Sequence, residues 1–165
     1  MLSNIGNFLI ILSIIFSLLI IYYSLLDLKK NNQLINKNIF MLSLYQLTFV
    51  IICFATLIAA FIVSDFSLIT VFQNSHTSKP LFYKISGTWG NHEGSLLLWI
   101  NVLVVFSYLF LVLNKKSEKK FRIYTLISQN ILILGFLLFL LLSSNPFNLI
   151  IPQPNEGLGL NPILQ

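Results

Sequence analysis

The residues best suited to chemistry lie in one short polar stretch, from Thr88 to Gly94. Within it His92 precedes Glu93, the one adjacent histidine–acid pair in the sequence. A histidine can ligate a metal ion, and it can exchange a proton near neutral pH. One histidine and one acid fall short of the three protein ligands that a zinc site requires. Because the sequence also lacks a nucleophile beside a base, a phosphate-binding glycine loop and a CxxC pair, we predict neither a metal site nor a catalytic residue.

Two interpretations of His92 and Glu93 stay open. In one, they form a hydrogen-bonded turn that seats the next helix and docks neighbouring loops; in the other, they contact a ligand directly. Asn91 or Ser95 could cap that helix, and Glu93 would suit the positive end of its dipole. The second histidine, His76, lies in a polar stretch without a partner nearby in sequence, so we expect a solvated loop residue.

The composition indicates which elements must position this stretch. Hydrophobic residues make up 56% of the chain and charged residues only 9%, with a mean hydropathy of +0.86. A soluble domain is about a quarter charged, so lipid must cover the apolar surface. Windows without charge predict an all-α membrane protein with four transmembrane helices, at about 5–26, 39–64, 95–114 and 123–144.

Basic residues predict the direction of the four spans. They concentrate in the loops after the first and third spans, whereas the middle loop 65–94 holds only Lys79 and Lys84. Both termini and the loop 65–94 should therefore face outward. The tail 145–165 contains every proline except Pro80, and we expect it to lie extended on the outer surface with little core of its own.

Polar side chains within the spans are few and none is ionisable, which disfavours a transporter acting alone. We expect four amides to form hydrogen bonds between helices, namely Gln46, Asn101, Gln129 and Asn130. The single cysteine, Cys53, should be a small buried hydrophobe. The net charge of +5 flanks apolar segments, so we interpret it as a topology signal and expect no nucleic-acid partner.

The stretch GTWGNHEGSLLLW, from Gly87 to Trp99, resembles the cytochrome c maturation F family (CcmF) of haem-handling membrane proteins. Further matches in the family's order are SDFS from Ser64, NSH from Asn74, SNPF from Ser144 and LNPILQ from Leu160. The resemblance covers the whole chain, which is similar to the N-terminal part of a full-length member. The HPP motif, the tryptophan-rich WWD motif and the haem-ligating histidines of the family have no counterpart here.

The resemblance implies a role in cytochrome c biogenesis, as a partial and non-catalytic subunit of a haem lyase complex. Haem would belong to the assembled complex, and contact with the haem or chaperone site is expected from Trp89, Gly90, Asn91, His92 and Glu93. Implied partners are a separately encoded remainder of CcmF with the HPP and WWD motifs, a CcmH-type thiol-presenting protein, the CcmE haem chaperone, apocytochrome c and the lipid bilayer.

The residue composition also bears on the origin of the chain. Nearly all basic residues are lysine, and Asn and Ile are frequent, which hints at an A+T-rich organellar genome. We therefore expect a split version in the mitochondrial inner membrane, or a multi-pass protein of a bacterial inner membrane. The alternative function is a structural accessory subunit of an inner-membrane respiratory complex, which would share the four spans but would not need the loop from Trp89 to Glu93.

Overall fold

The computed structural model describes residues 1–30, 33–115 and 117–159. Within these ranges the chain is all-helical apart from loops and one isolated bridge between Leu68 and Leu149. The helices are α1 Leu2–Lys30, α2 Gln33–Ile62, α3 Ile69–Asn74, α4 Leu81–Gly87, α5 His92–Leu113 and α6 Lys119–Leu142.

Four helices, α1, α2, α5 and α6, are long and apolar enough to cross a membrane, as predicted. Each of these helices contains most of one predicted span, and its ends differ from the predicted ends by a few residues. The stretch assigned to the loop 65–94 holds α3, α4 and the first turn of α5. Helix α5 begins among polar residues because Asn91 caps it. The direction of the four helices across the membrane stays a prediction.

The four long helices form a closed ring. Helix α1 packs on α2 and α6, and α5 packs on the same two helices from the other side. The buried side chains that fill the ring come from all four, among them Ile10, Leu57, Ile100 and Leu137. Cys53 belongs to this core, as the sequence predicted.

The outer faces of the ring remain apolar and exposed. Along α1 the exposed large side chains recur at intervals of three or four residues, at Phe8, Ile11, Ile15, Leu18, Tyr22 and Leu25. That spacing marks one face of a helix. Such a face suits contact with lipid tails or with further transmembrane helices.

The inner face of α1 carries small polar residues instead. Ser13, Ser17 and Ser24 are buried there, and small side chains let neighbouring helices approach closely. Ser17 accepts a hydrogen bond from the amide nitrogen of Gln46 on α2 at 2.5 Å, which confirms the expected interhelical role of Gln46.

The other three amides do not show that role. Asn101 and Asn130 each donate to the carbonyl one turn earlier in their own helix, at 2.9 and 3.0 Å. The side-chain oxygen of Gln129 has no partner among the described residues. The expected interhelical hydrogen bonds of Asn101 and Asn130 were wrong. Each side-chain amide can instead donate to the backbone carbonyl four residues earlier in its own helix.

The connector between α2 and α5 and the tail after α6 cover one end of the ring, which we call the connector end (residues 63–91 and 143–159). The tail is not confined to the surface there. Phe147 is fully buried against Gly6, and its carbonyl accepts a hydrogen bond from Ser3 at 2.7 Å. Asn145 donates to Asn7 at 2.7 Å. The tail thus supplies part of the core and fastens the start of α1.

The far part of the tail binds the loop that follows α3. Glu156 accepts hydrogen bonds from the hydroxyl and the backbone N–H of Thr77, at 2.7 and 3.0 Å. These hydrogen bonds hold the pKa of Glu156 below its ordinary value, and the bond from the Thr77 hydroxyl has the larger effect. His76 lies 3.8 Å from the same carboxylate and 2.8 Å from the Ser78 hydroxyl. His76 is a loop residue with 38% of its side chain exposed, as expected, and the sequence did not indicate Glu156 as its neighbour because the two are remote in sequence.

We predict that Phe147→Ala lowers the free energy of unfolding by about 3–5 kcal/mol, since it leaves a cavity between the tail and α1. The matched control is Ile151→Ala in the same tail, where the side chain is 88% exposed. That variant should stay within about 0.5 kcal/mol of the parent. Denaturation in detergent micelles, followed by circular dichroism, measures both. Equal stability of the two variants would contradict the anchoring role of Phe147.

Candidate functional site

The candidate site begins with the cap of α5, formed by Asn91. Its side-chain oxygen accepts a hydrogen bond from the backbone N–H of Gly94 at 2.7 Å. Its side-chain nitrogen donates to the carbonyls of Gly87 and Thr88, at 2.9 and 3.2 Å. One amide therefore joins the end of α4 to the start of α5 and fixes the turn between them.

Gly94 is required by the close packing of this turn. A β-carbon at Gly94 would overlap the carbonyl oxygen of Thr88, which lies against the first turn of α5. Thr88 itself is buried. The backbone from Thr88 to Gly94 is thus held in one compact arrangement, from which the neighbouring side chains project.

His92 is the first residue of α5, and its ring is exposed at the connector end. The Nδ1 atom lies 3.1 Å from the hydroxyl of Ser144, just past the end of α6. The ring also stands edge-on to Phe139, with 6.5 Å between centroids. These two contacts orient the His92 ring, and its Nε2 has no hydrogen-bond partner among the described residues.

Glu93 lies in the first turn of α5, where the helix dipole favours a negative charge. Its carboxylate is half-buried and has no hydrogen-bond or ion-pair partner in the part of the chain that the structure describes. Trp89 is 43% exposed and Gly90 is exposed beside it. The surface from Trp89 to Glu93 hence presents an aromatic ring, an imidazole and an acid side by side.

The five candidate residues, Trp89 to Glu93, lie together because they are consecutive, and the sequence indicated Asn91 as a possible cap. No feature of the sequence indicated Ser144 or Phe139 as neighbours of His92. The two lie 52 and 47 residues further along the chain, and only the packing of α5 against α6 brings them close. The possible cap by Asn91 is confirmed, and the His92 ring contacts Phe139 on α6.

An apolar groove of about 500 Å³ runs along α6 next to this site. Its lining includes Phe139, whose ring contacts His92. The other lining residues are Ile131, Leu132, Gly135 and Phe136. Among residues 1–30, 33–115 and 117–159, no three His, Cys, Asp or Glu side chains come together in a group that could hold a metal ion.

Comparisons with known proteins connect this geometry to a family. No protein-family model matches the chain. The CcmF cytochrome c-type biogenesis proteins of Haemophilus influenzae and Escherichia coli are 36% and 33% identical to it, in both cases across the whole chain. The cytochrome c-type biogenesis protein CycK of Rhizobium meliloti is 46% identical over 112 residues, which are 68% of this chain.

The chain belongs to the CcmF family. The resemblance seen in the sequence is thereby confirmed. A solved structure of the cytochrome c haem lyase CcmF has the same fold, with a TM-score of 0.82 over 90% of this chain at 24% identity. The chain spans only part of these proteins: 26% of the two CcmF sequences, 17% of CycK and 25% of the CcmF structure.

We predict that Gly94→Ala destabilises the chain by about 1–3 kcal/mol, because the added methyl group displaces the backbone of Thr88. Gly135→Ala is the matched control, since a β-carbon at Gly135 meets nothing within 4 Å. The control should be as stable as the parent or slightly more so, because alanine favours the helix. Thermal unfolding in micelles, followed by tryptophan fluorescence, measures both; an unchanged Gly94→Ala midpoint would disprove the steric argument.

Proposed function

We propose that the chain is one part of a haem lyase complex that attaches haem covalently to apocytochrome c. On its own it is not catalytic. It supplies four helices of the membrane scaffold and presents the stretch from Trp89 to Glu93 near the haem or haem-chaperone site. The observation that carries this proposal is the similarity to CcmF proteins across the whole chain. The capped turn with its exposed histidine supports it.

The roles within the stretch follow from what each side chain exposes. The Trp89 ring offers an apolar face for stacking and for anchoring at the membrane surface. The free edge of His92 offers a polar contact to haem propionates or to a partner loop. Glu93 offers an acceptor to a donor on that partner loop, because its carboxylate has no partner among the described residues. Asn91 and Gly90 shape the turn that holds these groups together.

The proposed surroundings are an inner membrane with the connector end on its outer side. The part of the lyase that carries the HPP and WWD motifs would pack on the exposed apolar faces of the ring. The groove on α6 is one such face. A CcmH-type protein, the CcmE chaperone and apocytochrome c would approach the connector end, and the setting would be a mitochondrion or a bacterium.

The alternative is a structural accessory subunit of a respiratory complex. Four apolar helices with exposed outer faces suit that function equally well. The turn around Asn91 favours the function in a haem lyase. A purely structural membrane subunit does not need an ordered polar loop with an exposed imidazole. Similarity to proteins of cytochrome c-type biogenesis favours the haem lyase as well.

We predict that His92→Ala lowers the yield of holocytochrome c about tenfold, as expected for the loss of a hydrogen bond to a charged group. Yields are measured by haem staining of membranes that express the variant in place of the parent. The matched control is His76→Ala, which removes the other histidine of the connector end. It should leave the yield unchanged.

A normal yield from His92→Ala, at parental levels of the chain in the membrane, would contradict the assigned role of His92. His92→Gln serves as a second variant, because its amide keeps a hydrogen-bonding group near Ser144. If both variants accumulate normally and only His92→Ala lowers the yield of holocytochrome c, the complex requires a polar contact at this position.

A further inference from the structure

Three successive large side chains are exposed at the start of α4, at the connector end. Leu81, Phe82 and Tyr83 are 58%, 76% and 57% exposed, and the rings of Phe82 and Tyr83 stand edge-on with 6.0 Å between centroids. No residue of α4 is buried. A contiguous apolar surface of this kind marks a place that another phase or another molecule covers.

The contacts of α4 fix its level along the ring, beside the end of α2. A β-carbon at Gly87 would lie 3.5 Å from the ring of Phe61, in the last turn of α2. The ammonium of Lys84 donates to the hydroxyl of Ser64, just beyond α2, at 2.7 Å. Because the apolar segment of α2 ends at Ile62, α4 lies at the level where that helix leaves the bilayer.

The exposed apolar surface of α2 reaches this level too. It includes Ile51 and Ile52 in the middle of the helix and Ile62 at its end. Val63, which is 65% exposed, directly precedes the serine that Lys84 contacts. The exposed side chains of α4 therefore continue a surface that faces lipid along the membrane-spanning part of α2.

The residue types of α4 suit the boundary between acyl chains and headgroups. Leu81 and Phe82 have no polar side-chain atom, whereas Tyr83 ends in a hydroxyl and the nearby Trp89 carries an indole N–H. Tyrosine and tryptophan favour this boundary, because the ring enters the apolar region while its polar atom stays hydrated. With seven residues, α4 is too short to cross a bilayer and suits a position at its surface.

We propose that α4 is an interfacial anchor that inserts Leu81, Phe82 and Tyr83 into the lipid leaflet at the connector end. The bilayer itself, at the boundary of headgroups and acyl chains, is the partner of this surface. Because Asn91 ties the end of α4 to the start of α5, the anchor also fixes the height of that turn above the hydrocarbon. The inference needs only the four membrane spans and is independent of the proposed haem lyase function.

The test places the polarity-sensitive fluorophore NBD on one cysteine, introduced by Phe82→Cys in a Cys53→Ala background. The matched control is Asn155→Cys, an exposed polar position in the tail. Each full chain is reconstituted in vesicles of phosphatidylcholine and phosphatidylglycerol that contain no other protein. Both positions lie at the connector end, so the orientation of the chain in the vesicle affects them equally.

Two quenchers then report the surroundings of each probe, iodide in the water and a phosphatidylcholine with a nitroxide near the headgroup end of its acyl chain. The Phe82→Cys probe should be quenched by the nitroxide lipid and emit at shorter wavelength than the control. Its iodide quenching constant should be about fivefold below that of the Asn155→Cys probe, because an anion does not enter the apolar region.

Two results would overturn the proposal. Equal iodide quenching at both positions, without quenching by the nitroxide lipid, would show that α4 faces water and leaves its apolar side chains to a protein partner. Protection of the Phe82→Cys probe from both quenchers would show that a second copy of the chain covers this surface. If the Phe82→Cys chain does not enter vesicles, Leu81→Cys replaces it, with the same expected results.

Discussion

The ring closes where α1 meets α6, the first and last of the long helices, and the rest of the structure depends on that closure. At the connector end the tail after α6 is tied to the start of α1, through Ser3 and the buried Phe147. At the opposite end of the ring, an ion pair between Asp27 of α1 and Lys119 of α6 joins the same two helices. In lipid there is little hydrophobic drive for helices to associate, so such polar and close-packed contacts hold a bundle together.

The position of His92 depends on this closure. Asn91 and Gly94 fix the start of α5, but the orientation of the His92 ring comes from Phe139 on α6 and from Ser144, just past the end of α6. Because α6 is fastened to α1 at both ends, the imidazole is held against a fixed surface. A histidine oriented in this way presents its free nitrogen in one direction, as a contact with a ligand or partner requires.

The sequence predicted the features that depend on residues close together in the chain. Absence of charge located the four long helices, and the polar run before α5 indicated Asn91 as a possible cap. The GTWGNHEG stretch was specific enough to indicate the family. Contacts remote in sequence were missed, such as those of His92 with Ser144 and of His76 with Glu156, since neither partner has a feature that points to the other. The intrahelical bonds of Asn101 and Asn130 were missed because a buried amide can bind its own helix as readily as a neighbour.

The central claim is that this chain works inside a cytochrome c biogenesis complex. Its most direct test is purification of the chain from its native membranes in mild detergent, with mass spectrometry and an absorption spectrum of the eluate. We predict that other proteins of cytochrome c biogenesis co-elute with the chain and that the eluate shows a Soret band. Elution with subunits of a respiratory complex, without such proteins, would contradict the proposed function and favour the structural alternative.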